Sequence, residues 1–112
     1  MRELLAHVVA LLVRHELYVA RFYLNKENYD AAIARIQYAL RNYSASLEGP
    51  AAAATGAGDL EAEALLLLGT TYLKMHKWND ARQAFQTIVK DFASSPLVVP
   101  ARNYLEVLKR EG

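Results

Sequence analysis

Cysteine is absent from all 112 residues, which removes disulfides, thiolate nucleophiles and thiolate metal sites together. An excess of charge of one sign is absent too. Thirteen basic residues against 12 acidic leave a formal +1, no field that draws nucleic acid or an anionic membrane by electrostatics alone. A bilayer crossing takes about 20 apolar residues, and the best candidate, LLAHVVALLV from Leu4 to Val13, is only ten residues long. Glu3 and His7 interrupt its likeness to a signal segment, and no small-residue cleavage motif follows before Arg14. Neither glycine nor proline occurs before Gly49, so nothing breaks the chain early.

What is present is helix-forming sequence, with 54% apolar residues, enough for one small helical core. Leu5, Val8, Val9, Leu12, Glu16, Val19, Phe22 and Tyr23 recur at three- and four-residue spacing. Met1 to about Asn25 therefore reads as one helix, roughly 37 Å long. Leu4 to Val13 is apolar nearly all round and must be covered by something. The polar Asn25-Lys26-Glu27-Asn28 stops this helix, with Asn28 placed to cap the next one and Asp30 in its first turn. The second helix shows Ala32, Ile36, Ala39, Leu40 and Tyr43 as an apolar stripe, with Arg35, Gln37 and Arg41 toward water. Gly49, Pro50, Gly56 and Gly58 punctuate LEGPAAAATGAGDL, Leu47 to Leu60, and its centre at 48–58 is expected to be mobile. A third helix is expected from Asp59 or Leu60 to about Met75, with Asp59 as its N-cap. A fourth follows from Trp78 to Phe92. A fifth is expected from Pro100 to Lys109, with Tyr104, Leu105 and Leu108 as a narrow apolar face.

Superimposing YDAA at Tyr29 on WNDA at Trp78 exposes a repeat. Ala32 falls on Ala81, Ile36 on Phe85, Tyr43 on Phe92, Tyr23 on Tyr72 and Ala20 on Gly69, every pair 49 positions apart. Small residues at Ala20, Gly69, Ala32 and Ala81 let paired helices approach closely, and each hairpin needs a stacked neighbour to bury its apolar faces. The arrangement resembles the tetratricopeptide repeat, whose period of about 34 implies an insertion of roughly 15 residues, placed at 47–60. The resemblance implies an all-α, right-handed α-solenoid fragment of about five helices in a single domain. Its parts are a leading helix at 1–14, a repeat at 15–46, the insert, a repeat at 61–96 and a capping helix at 97–112.

One phrase is more specific. HELYVARFYL from His15, a short polar turn, Tyr29 and then AAIARIQYALRNY resemble the penultimate repeat of the BamD (ComL-like) family, the tetratricopeptide lipoproteins of the outer-membrane β-barrel assembly machinery. The family carries a short Asp-Thr-Pro-like turn where this chain has Ser44-Ala45-Ser46-Leu47, and a more charged segment at Leu4 to Val13. The resemblance implies a non-enzymatic scaffold at the periplasmic face of the outer membrane, docking on BamA-like periplasmic domains or a peptide. A lipid anchor would need a cysteine, so the chain is expected to be the C-terminal piece of a longer lipoprotein, with signal and earlier repeats upstream. The family's concave groove falls on Arg14, Leu17, Arg21, Leu24 and Asn25 in the first repeat and on Glu63, Leu66, Thr70, Leu73 and Lys74 in the second. The alternative is a generic adaptor of another cell-envelope or cytoplasmic complex, self-associating as a homodimer through Leu5, Val8, Val9 and Leu12.

Reactive chemistry has little foothold. His7 and His15 stand about 80° apart on a helix rather than at the four-residue spacing of a metal pair, and His15 and Glu16 diverge by about 100°. Ser44, Ser46, Ser94 and Ser95 lack a glycine-flanked elbow, and Gly56-Ala57-Gly58 lacks the Lys-Ser/Thr of a phosphate loop. The seven tyrosines occupy core positions of the repeat rather than a base-stacking platform. No catalytic residue, cofactor or metal is expected.

Overall fold

The computed structural model describes residues 2–43 and 57–111, with side chains from 7 to 43 and from 59 to 110. These residues form helices α1 (Arg2–Asn25), α2 (Tyr29–Tyr43), α3 (Ala57–Lys74), α4 (Trp78–Asp91) and α5 (Val98–Glu111), and no strand occurs among them. The fold is an all-α stack of helical hairpins: α1 packs on α2, both pack on α3, α3 packs on α4, and α4 on α5.

The two hairpin turns are copies of each other. The amide of Asn28 donates to the carbonyl of Tyr23 at 2.9 Å, and that of Lys77 to Tyr72 at 2.9 Å. One residue earlier, Glu27 donates to Leu24 at 3.0 Å and His76 to Leu73 at 3.1 Å. This pair of bonds closes a helix end when the residue after the cap turns left-handed. Glu27 and His76 do so, at φ 59° and 61°, and they stand 49 positions apart like the rest of the repeat. The left-handed residue of the first turn is thus Glu27. Asn28 caps α2, as its position suggested, its Oδ1 accepting the Ala31 amide at 3.3 Å.

Two helix starts differ from the sequence reading. α3 begins at Ala57, so the last residues of the 47–60 stretch are helical and Asp59 sits in the first turn, where its charge favours the helix dipole without capping. The rest of the expected mobile segment lies outside the described residues. α5 begins at Val98, before Pro100, which falls within its first turn, where a missing amide forfeits no intrahelical bond.

Two apolar clusters hold the stack together, and α3 belongs to both. The first gathers Val9, Ala10, Val13, Leu17 and Ala20 of α1, Ala32 and Ile36 of α2, and Leu60, Ala64 and Leu68 of α3. The second gathers Ala81, Phe85 and Ile88 of α4 with Val98, Ala101 and Leu108 of α5. Consecutive residues on a helix diverge by about 100°. The run Leu65 to Leu68 therefore splits, Leu65 and Leu66 packing on the second cluster, Leu67 and Leu68 on the first. Tyr104 stacks on Phe85, ring centroids 4.9 Å apart and 10° from parallel.

A size exchange marks the tightest contact. In the first hairpin Ala20 and Ile36 share a cluster; in the second the equivalent pair is Gly69 and Phe85. A Cβ on Gly69 would lie 2.6 Å from Phe85 Cε1, inside any tolerable contact. The larger ring requires the smaller partner. Gly69→Ala is expected to lower stability by about 1–3 kcal/mol, and Gly69→Ala with Phe85→Ile to recover most of that loss, both read by urea denaturation.

Candidate docking surface

The residues named from the resemblance separate into three groups. Arg14, Arg21, Asn25 and Lys74 are exposed, and Glu63 is partly so. Leu24, Leu66, Thr70 and Leu73 are half-buried; Leu24 packs on the first cluster, Leu66 and Leu73 on the second, and the Thr70 hydroxyl donates to the Leu67 carbonyl at 2.9 Å. Leu17 is the exception. At 1% exposure it is a core residue and presents nothing to a partner. The exposed members are therefore polar and lie on α1 and α3, with half-buried leucines on the same two helices.

Two of those residues engage each other across the repeats. Arg21 Nη2 donates to Glu63 Oε1, tying α1 to α3 with both side chains at the surface. On another edge of α3, Gln37 Nε2 of α2 donates to Tyr72 Oη at 3.1 Å. Burial first, and the Asp80 carboxylate second, push the Tyr72 hydroxyl above the usual phenol range, against the pull of the Gln37 bond. Within the first hairpin, Arg35 Nη1 meets Glu16 Oε2 at 3.4 Å. Arg14 has no ion-pair partner among the described residues.

The self-association set is redrawn as well. Val8 and Leu12 are exposed, but Val9 is 6% exposed and faces the chain's own core. The Leu5 side chain lies outside the described ones. The stripe that faces inward is Val9, Ala10, Val13, Leu17 and Ala20, so Val8 and Leu12 lie on the outward side as the self-association reading needs and Val9 does not. Leu11, Tyr18 and Phe22 join the outward face instead, Tyr18 at 71% exposure, with Lys26 Nζ 5.6 Å from the Phe22 ring centre. The signal for these residues was in the sequence: Leu11, His15, Tyr18 and Phe22 are spaced by four, three and four.

Comparison with known families fits this two-part architecture. A family model described as outer membrane lipoprotein, YfiO, matches residues 1–56, half of the chain, and a tetratricopeptide repeat model matches residues 63–95. The chain belongs to the outer membrane lipoprotein family. It is a BamD-like tetratricopeptide protein, as its repeat phrase indicated. No curated protein and no solved structure gives a significant match. No described helix of this lipoprotein-family chain is long and apolar enough to cross a membrane.

Arg21 lies in the segment matched as lipoprotein and Glu63 in the segment matched as tetratricopeptide repeat, so their contact joins the two. Both ends are well solvated, and exposed pairs of this kind couple by about 0.2–1 kcal/mol. A double-mutant cycle of Arg21→Ala and Glu63→Ala is expected to give a coupling energy in that range, falling toward zero in high salt.

Proposed function

We propose that this chain is a non-enzymatic protein-interaction scaffold, serving as the C-terminal part of a BamD-like component of the outer-membrane β-barrel assembly machinery at the periplasmic face of the outer membrane. Family membership supports the compartment and the class of role. The reading rests on the exposed Arg14, Arg21 and Asn25 of α1 and Lys74 of α3, with the half-buried Leu24, Leu66 and Leu73 on the same two helices. A partner lays an apolar anchor on the leucines and carboxylates on the arginines, whose planar fork suits them. BamA-like periplasmic domains are the proposed partner. In a pull-down with those domains, binding is expected for the native chain and a loss of about tenfold or more, roughly 1.4 kcal/mol, for Arg14→Glu with Lys74→Glu. No capture at high micromolar concentration would overturn the reading.

A second reading, a self-associating adaptor, is favoured by one observation: Val8, Leu11, Leu12, Tyr18 and Phe22 are exposed together on α1. Val9 takes no part. Leu11→Glu with Leu12→Glu is expected to halve the mass seen by light scattering if α1 pairs with α1 of a second copy. An unchanged mass removes that interface.

A further inference from the structure

The first hairpin supplies a control for the second. On α2, Tyr29, Ile33 and Gln37 lie one turn apart; Ile33 packs on the first cluster and Gln37 bonds to Tyr72 of α3. The repeat-equivalent residues of α4, 49 positions on, are Trp78, Arg82 and Gln86. A guanidinium stands where the first hairpin has an apolar plug, and the groove toward α5 is open. Arg82 and Gln86 line a depression there with Leu105 and Lys109 of α5, and Arg82 also lines a second depression at the turn, with Lys77 and Trp78. Trp78 to Gln86 covers roughly 12 Å of helix, the reach of about four residues of extended chain.

The electrostatics of this track are one-sided. Lys77, Arg82 and Lys109 line the two depressions against the single carboxylate of Asp80. Arg82 donates to Asn79 Oδ1 at 3.0 Å, and neither it, Lys77 nor Lys109 forms an ion pair among the described residues. Apolar surface is present between the cations, at half-buried Trp78 and Leu105.

We propose that the α4–α5 track binds an extended acidic peptide segment. Its carboxylates pair with Arg82, Lys77 and Lys109, and an apolar side chain between them settles on Trp78 or Leu105. This surface lies on helices other than the α1 and α3 edge assigned to the periplasmic partner, so the two functions stand or fall separately.

Trp78 is the chain's one tryptophan, and its emission reports occupancy. The full chain at low salt is titrated with a blocked, glutamate-rich peptide carrying a central leucine. A saturable change in Trp78 emission is expected, with Kd below about 1 mM and weakening in high salt. Arg82→Glu with Lys109→Glu should lose the glutamate peptide by about tenfold or more and take up its lysine counterpart. Arg82→Ile, which restores the first-hairpin residue, should lose the glutamate peptide without gaining the other. If the double variant loses helical circular dichroism, Lys109→Glu alone, in the exposed last turn of α5, carries the test. No saturable change with the native chain, or equal glutamate-peptide binding by a folded variant, overturns the proposal.

Discussion

Everything else in this structure depends on α3 being buried from two sides. A helix covered on one side shows a stripe; a helix between two layers needs apolar residues all round. The four leucines from Leu65 to Leu68 meet that need, two directed at each neighbour, and Tyr72 reaches both clusters. The α1–α2 hairpin on one side and the α4–α5 pair on the other are held in register by what they share on α3 rather than by the modest ion pair at the edge.

The same logic accounts for the parts of the fold that were legible in sequence. The turns were readable because their chemistry is local: a short, largely polar turn, a following Tyr or Trp and a small residue three positions later recur at fixed distance, and the hydrogen bonds repeat residue for residue. The alignment of Ala20 with Gly69 and of Ile36 with Phe85 was readable from the repeat, while the contact between Gly69 and Phe85 emerges only in the fold, where volume must balance across a close approach. The phase of α1 was not. Where Leu4 to Val13 is apolar on every side, periodicity does not say which residues turn inward, so Val9 reads as a partner residue and Leu11 goes unnoticed; Leu17 enters the groove only through the family resemblance. That ambiguity is physical: hydrophobicity sets how much surface asks to be covered, and only the neighbouring helices decide which part is covered.

The left-handed residues show a different departure from local preference. Glycine is the usual occupant of that position, since a side chain there costs about 1–2 kcal/mol. Both hairpins nevertheless use a polar residue, Glu27 and His76, and both project it into solvent at the tip of the turn. The bonds from Asn28 to Tyr23 and from Lys77 to Tyr72 hold the geometry against that cost. His76 in addition lays its ring edge-on to Trp78, 5.1 Å between centres.

A middle helix that belongs to both halves has a consequence for how the molecule comes apart. Peeling away either α1 and α2 or α4 and α5 strips an apolar flank of α3 bare, so the remaining half forfeits part of its own support at the same moment. In a chain of stacked units the coupling between neighbours sets how far melting spreads before it stops. Here the coupling passes through the backbone of a single helix, and the two halves are bound to melt as one cooperative unit.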